Sequence, residues 1–412
     1  MLTMRSSKGR LGMRYIALLL AHPLQVVVLF GFSFAGCSWS PGAQSATHID
    51  IARDVMIEAG VSITPHSITR TGHGGYVITG AIAENHAWAT RLNSALGVMW
   101  RVEEPQRSVG AARDTSTYDD AVVLPDDSVL LCGVTQVGPR GITGVGLLTH
   151  MGAAGQVIQR RELPLPDDYT LTANTKCVGT RDGALMIGIG VVGKGANEPL
   201  EYRTWIVALD QEGVFRWQKL VPVAPPSQII WQAIELPNRN IAIYGDGYCL
   251  EFDAQGVPMS QRQLQRSLGR PILSWKVPAL AEAAVPGDAG GPETVDDRIN
   301  ARPGVQIGDK SLQAHFQARF AYALPDGGLA LFGNKEKDNV YSAAIVYVSP
   351  DLKTTEVHLM GERDDAASWL VADVTPTGVA GEFATVRFIA HFTKATGPDP
   401  LMGIGLAFVR LR

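Results

Sequence analysis

LPDGGLALFG, residues Leu324 to Gly333, runs a tight turn into four apolar residues and ends on a glycine. Close variants stand at TGHGGYVITG (Thr71–Gly80), LPDDSVLLCG (Leu124–Gly133), TRDGALMIG (Thr180–Gly188) and LPNRNIAIYG (Leu236–Gly245). Proline presets one backbone angle of such a turn, and Asp, Asn or Gly accept the others. Each motif therefore reads as the turn of a hairpin. The strands that follow (YVIT, SVLLC, ALMI, NIAIY, LALF) are apolar nearly throughout, the pattern of strands covered on both faces. A sheet standing radially between two neighbouring sheets is covered in this way.

Aligned on Gly80, Gly133, Gly188, Gly245 and Gly333, the motif recurs at intervals of 53, 55, 57 and 88 residues. A near-fixed period of this size marks a propeller or solenoid. Each unit adds a second hairpin, such as Trp205–Val221 or Ala344–Leu359, with a polar turn and a more alternating outer strand. The prediction is an all-β chain forming a β-propeller of about six four-stranded blades. The sixth unit, from Ser368 to Arg412, stops at its third strand. Its fourth strand is expected from Asp54–Ile63, so that both ends of the chain close the ring and leave no open edge. The interval of 88 residues holds an insertion at about 270–315, and a degenerate seventh blade there is the other count it allows. With 44 glycines, 24 prolines and 46% hydrophobic residues, the chain has many turns and ample material for a large core.

Ala208-Leu209-Asp210-Gln211-Glu212-Gly213-Val214-Phe215-Arg216-Trp217 resembles the signature of the PQQ-like propeller repeats. That resemblance implies a tryptophan docking one blade on the next. Arg91-Leu92-Asn93 through Gly97 to Trp100 matches more loosely, while other units carry Ile158, Met259 or Thr355 in nearby positions. The layout is also similar to that of the propeller lipoprotein of the bacterial outer-membrane barrel-assembly machine, which implies a lipid anchor and a non-enzymatic role.

The start of the chain differs in character. Arg5, Lys8, Arg10 and Arg14 precede the almost wholly apolar stretch Tyr15–Gly36, and Cys37 follows Phe34-Ala35-Gly36. A basic segment, an apolar segment and small residues describe an export signal. Its ending resembles a bacterial lipoprotein signal, which implies lipidation of Cys37 and cleavage before it. Phe34 replaces the commoner leucine of that family, and Met13 is an alternative start. An uncleaved anchor would also fit the length, but His22, Pro23 and Gln25 interrupt it. Ser38 after the cysteine points, by the family rule, to the outer membrane facing the periplasm. The expected organisation is a signal over 1–36, a linker over 37–52 and the propeller over 53–412. Loss of residues 1–36 leaves 32 basic and 40 acidic side chains, a net charge of −8. A chain of that sign is repelled by phosphate backbones, so no nucleic acid is expected as a partner. Cys132, Cys177 and Cys249 then remain, an odd number that allows one bridge at most. All three lie in apolar strand-like runs and read as buried, inert thiols.

No motif requires catalysis. Gly188-Ile189-Gly190-Val191-Val192-Gly193 has the letters of a dinucleotide loop, yet Gly195 and Pro199 stand where a helix would have to open. G-x-S-x-G and H-E-x-x-H are absent from the sequence. No catalytic, cofactor or metal residue is assigned. The charged cluster Asp296, Asp297, Arg298, Arg302, Asp309 and Lys310 in the insertion is the candidate partner-binding loop, because loops on rigid scaffolds carry recognition. The expected function is a lipid-anchored envelope propeller acting as a non-catalytic protein-binding scaffold. Its partners are an envelope protein and, through the anchor, the membrane. The alternatives are an immunity lipoprotein neutralising a secreted toxic enzyme, and a propeller enzyme with a channel-centred site.

Overall fold

The computed structural model describes residues 49–59, 63–82, 86–104, 108–109, 112–113, 115–137, 143–171, 175–193, 200–221, 230–245, 248–263, 316–337, 340–349, 355–360, 368–390 and 403–411. Cys37 and the signal, the insertion at 270–315 and its candidate loop lie outside them, and so does the question of a seventh blade.

The fold is a β-propeller, and the described residues build six sheets of four antiparallel strands. Sheet I is Ile63–Arg70, Tyr76–Ile82, His86–Leu92 and Val98–Glu103. Sheet II is Thr115–Val123, Val129–Val137, Thr143–Met151 and Val157–Leu163. In sheet III the inner strand comes in two pieces, Thr170–Leu171 and Lys176–Thr180, followed by Gly183–Val192, Glu201–Leu209 and Phe215–Val221. Sheet IV is Ile230–Glu235, Ile241–Gly245, Tyr248–Phe252 and Pro258–Gln263. Sheet V is Phe316–Ala323, Leu329–Lys337, Val340–Val348 and Thr355–Met360. Sheet VI takes Ser368–Pro376, Glu382–Ala390 and Gly403–Leu411 from the C-terminal part, and its outer strand is Ile49–Ala59.

The N-terminal strand completes sheet VI as expected, with Ile49 opposite Leu411 and Ala59 opposite Gly403. Its limits differ from the expected ones. It begins inside the stretch read as linker, because Ile49 is buried and Ile51 packs on the same core, and Ile63 opens sheet I instead of ending this strand.

The opening motif behaves as read. The Leu324 carbonyl accepts a hydrogen bond from the Gly327 amide at 2.9 Å, and Gly327 takes a φ of 87°. Asp127 holds the same left-handed position in sheet II, where the buried Arg91 of sheet I grips both its carbonyl and its carboxylate. Beyond the turns, burial is continuous: all seven residues of Tyr76–Ile82 are buried. Core clusters join sheet I to sheets II and VI, sheet III to sheets II and IV, and sheet V to sheet VI. On the face of sheet IV turned from sheet III, Ala242, Tyr244 and Cys249 form a further buried cluster.

Two of the cysteines depart from the expectation. Cys132 of sheet II and Cys177 of sheet III form a disulfide, while Cys249 is buried and outside it. Apolar surroundings made all three look inert. The neighbouring faces of two sheets bring the first two together, and no spacing along the chain announces it.

Because each sheet runs inner to outer, the propeller has two unlike ends. The turns within hairpins gather at one, here called the turn end. The connections between hairpins and between sheets gather at the other, the loop end.

Candidate functional site

Near the loop end the inner strands are irregular in a repeated way. One residue bulges from the ladder at His66, Asp119, Trp231, Arg319 and Ala372 in sheets I, II, IV, V and VI. In sheet III the break between the two inner pieces occupies that place. A bulge bends its strand and re-aims a side chain. In sheets I, II, IV and V the bulge lies beside the glycine that closes the repeated motif, fourteen residues later in sequence.

That juxtaposition gives the closing glycine its physical reason. A Cβ on Gly80 would lie 2.8 Å from the Cα of Pro65, and one on Gly133 would lie 2.9 Å from the Cα of Tyr118. The kinked inner strand leaves no room for a side chain there. Sequence reading took these glycines as marks of register only. Their constant distance from residues as varied as His66, Asp119 and Arg319 was the available signal.

Two bulge residues meet across a sheet boundary. His66 Nδ1 lies 3.1 Å from Asp119 Oδ1, which also accepts from the Thr117 hydroxyl at 2.9 Å. Asp119 Oδ2 accepts from the backbone amide of Thr175 at 2.8 Å and from its hydroxyl at 3.1 Å. Burial by itself would raise the Asp119 carboxyl, but the bonds from His66, Thr175 and Thr117 prevail and hold it below the usual carboxylate range. An ionised carboxylate only accepts, so the proton of the His66 contact sits on Nδ1. In the neutral ring, Nε2 is then the acceptor. The His66 side chain is 30% exposed and Asp119 only 8%, so the carboxylate orients an imidazole whose outer edge reaches solvent. Such an arrangement can accept a proton or a hydrogen bond, or offer one nitrogen to a metal.

Neighbouring carboxylates of the inner strands have structural work. Asp120 Oδ2 accepts from the Cys177 amide at 3.3 Å, and Asp373 Oδ2 from the Ile68 amide at 2.9 Å. These side chains pin one inner strand to the next. Among the described residues no group of three or more His, Cys, Asp or Glu side chains is placed to hold a metal ion. All but the last of the GxGxxG letters fall on the strand Gly183–Val192, and Asp210 caps its own turn by accepting from the amides of Glu212 and Val214. Neither supports a nucleotide site.

At the turn end, a Cβ on Gly155 of sheet II would meet the Cβ of Trp100 at 2.5 Å. One on Gly256 of sheet IV would meet the Trp217 ring at 3.3 Å. Sheets I and III thus each press a tryptophan on the next sheet's turn. The register places Gln159, Ser260 and Glu356 at the equivalent sites, one residue beyond the Ile158, Met259 and Thr355 noted in sequence.

No family model and no curated protein matches the chain. Solved structures similar to it include the hemagglutinin-neuraminidase ectodomain of parainfluenza virus 5, at 10% identity over 88% of this chain and 84% of that one, with a TM-score of 0.44. Sqt1 from Chaetomium thermophilum is similar at 10% identity over 87% and 99%, with a TM-score of 0.40. A catalytically inactive virginiamycin B lyase from Staphylococcus aureus, bound to quinupristin, is similar at 11% over 86% and 100%, with a TM-score of 0.33. At these identities and TM-scores the likenesses carry no argument about this chain.

Proposed function

We propose that the chain is an exported β-propeller of PQQ-like repeats, lipid-anchored at Cys37, that binds another cell-envelope protein at its loop end without catalysis. The observation that carries this reading is the two-ended layout. A rigid stack of sheets presents the connections between hairpins and between sheets at one end, where little ordering entropy is lost on docking. The insertion that holds Asp296 and Arg298 leaves Gln263 and returns at Phe316, both at that end. The Cys132–Cys177 disulfide supports an oxidising compartment, and the tryptophans seated on glycine turns support the repeat family.

Photo-crosslinkers placed at Leu200, on the loop end, and at Asp126, on the turn end, test the reading in growing cells. One constant envelope protein captured from Leu200 and absent from Asp126 is expected; equal capture from both would break it. The address has its own test, since Cys37→Ser should release the processed chain from the membrane. The His66–Asp119 pair favours a second reading, a propeller that takes a small ligand at the same end. His66→Ala leaves the Leu200 crosslinks intact under the first reading and abolishes them if recognition passes through the imidazole.

A further inference from the structure

The outer strands begin at the turn end, and their first residues are unusual. Val98 and Met99 in sheet I, Val157 and Ile158 in sheet II, and Val257 and Met259 in sheet IV are between 49% and 61% exposed. In sheet III the place of Met99, Ile158 and Met259 is taken by the exposed Arg216, and the exposed aliphatic residue is Val214, which aligns with Val257. Single apolar residues on a surface need no explanation. Aliphatic side chains clustered where the outer strand starts in four successive sheets are different, because they gather at one end. They also lie on edge strands, where exposed apolar residues invite unwanted pairing unless something covers them.

The path of the chain says what covers them. Ile49 opens the outer strand of sheet VI and pairs with Leu411, whose amide donates to the Gly381 carbonyl in a hairpin turn. The 48 residues that precede Ile49, with their apolar stretch Tyr15–Gly36 and Cys37, therefore join the propeller at the turn end. The eleven residues between Cys37 and Ile49 span at most about 40 Å when extended, so an anchor at Cys37 keeps this end close to the bilayer.

We infer that the turn end is a lipid-contacting face, with the exposed aliphatic side chains seated at the bilayer interface and the loop end turned away from it. The inference rests on the anchored reading above. Its chemistry is apolar insertion and not charge attraction. The exposed turns at this end carry Asp126, Asp182, Glu212 and Asp326 against Arg181 and Arg239, so neutral headgroups suit it better than anionic ones. Contact of this kind persists in high salt.

The test uses the full chain in its own membranes. Met99→Cys and Met259→Cys receive an environment-sensitive label, with Leu200→Cys at the loop end as the control. The remaining cysteines are bridged, buried or at the anchor. Labels at 99 and 259 should be blue-shifted and quenched by brominated phosphatidylethanolamine, while the label at 200 is not. Replacing Val98, Val157 and Val257 by Ser should weaken that contact by about fivefold per side chain. Unquenched labels on a membrane-bound chain overturn the inference and leave the anchor standing. A blue shift without lipid quenching overturns it in favour of a protein cover, which a dependence on chain concentration would identify as a second copy. A chain found in the soluble fraction, with labels unquenched by added vesicles, removes both the anchor and the inference.

Discussion

Sheets III and VI fill the same pair of cross-strand positions in reverse. In sheet III the second strand carries Gly188 and the third strand carries the buried Trp205 opposite it. In sheet VI the second strand carries Arg387, and Gly405 lies opposite on the third. The room that a missing side chain provides has moved one strand outward, since a Cβ on Gly405 would lie 3.0 Å from Arg387 Nε. The large residue changes its task accordingly. Trp205 fills the core between sheets II and III. Arg387 stacks on Trp369 at 4.4 Å and pairs with Asp54 of the N-terminal strand. A sheet made from consecutive strands can use this site for apolar packing. The sheet assembled from both ends of the chain uses it to hold the incoming strand.

Five variants would break or sharpen that comparison. Gly80→Ala should cost most, about 3–4 kcal/mol of unfolding free energy, because the bulge at His66 leaves backbone where the methyl must go. A normal denaturation midpoint would show that the bulge does not dictate the glycine. Removing the Cys132–Cys177 bridge by a double serine substitution should cost about 2–4 kcal/mol, and thiol titration of denatured residues 38–412 should rise from one group to three on reduction. Arg387→Ala should cost about 2–3 kcal/mol through lost stacking on Trp369 and lost packing of a buried side chain. Asp54→Asn should cost under about 1 kcal/mol, since Asp54 is 42% exposed and screened by water. If the two variants are equally damaging, the ion pair and not the stacking holds the strand. The smallest effect concerns acid. The lowered Asp119 carboxyl favours the folded state fully above the unfolded aspartate value of about 3.9. That contribution is lost as pH falls through the folded value, so Asp119→Asn should flatten the acid limb of a stability profile.

The turns and the apolar strands were legible because their signals are local. Pro, Asp and Gly fix backbone angles within four residues, and double-sided burial removes the alternation that a half-exposed strand shows. Sheet VI was legible because Ser368–Arg412 offered three strands where its fellows had four. What escaped depends on register. A bulge is one extra residue on one strand relative to its partner, and a single strand does not carry that information. The His66–Asp119 contact is therefore invisible along the chain, as is a disulfide whose partners lie 45 residues apart on adjoining sheets.

Ile49 emerges from the ribosome early and finds its mate, Leu411, only after nearly every other residue has been made. The last vane cannot form until the tail has arrived. Until then the N-terminal strand lacks the partner it pairs with, Gly403–Leu411. A nick or truncation at either extremity should thus injure the protein in the same way, through one shared seam.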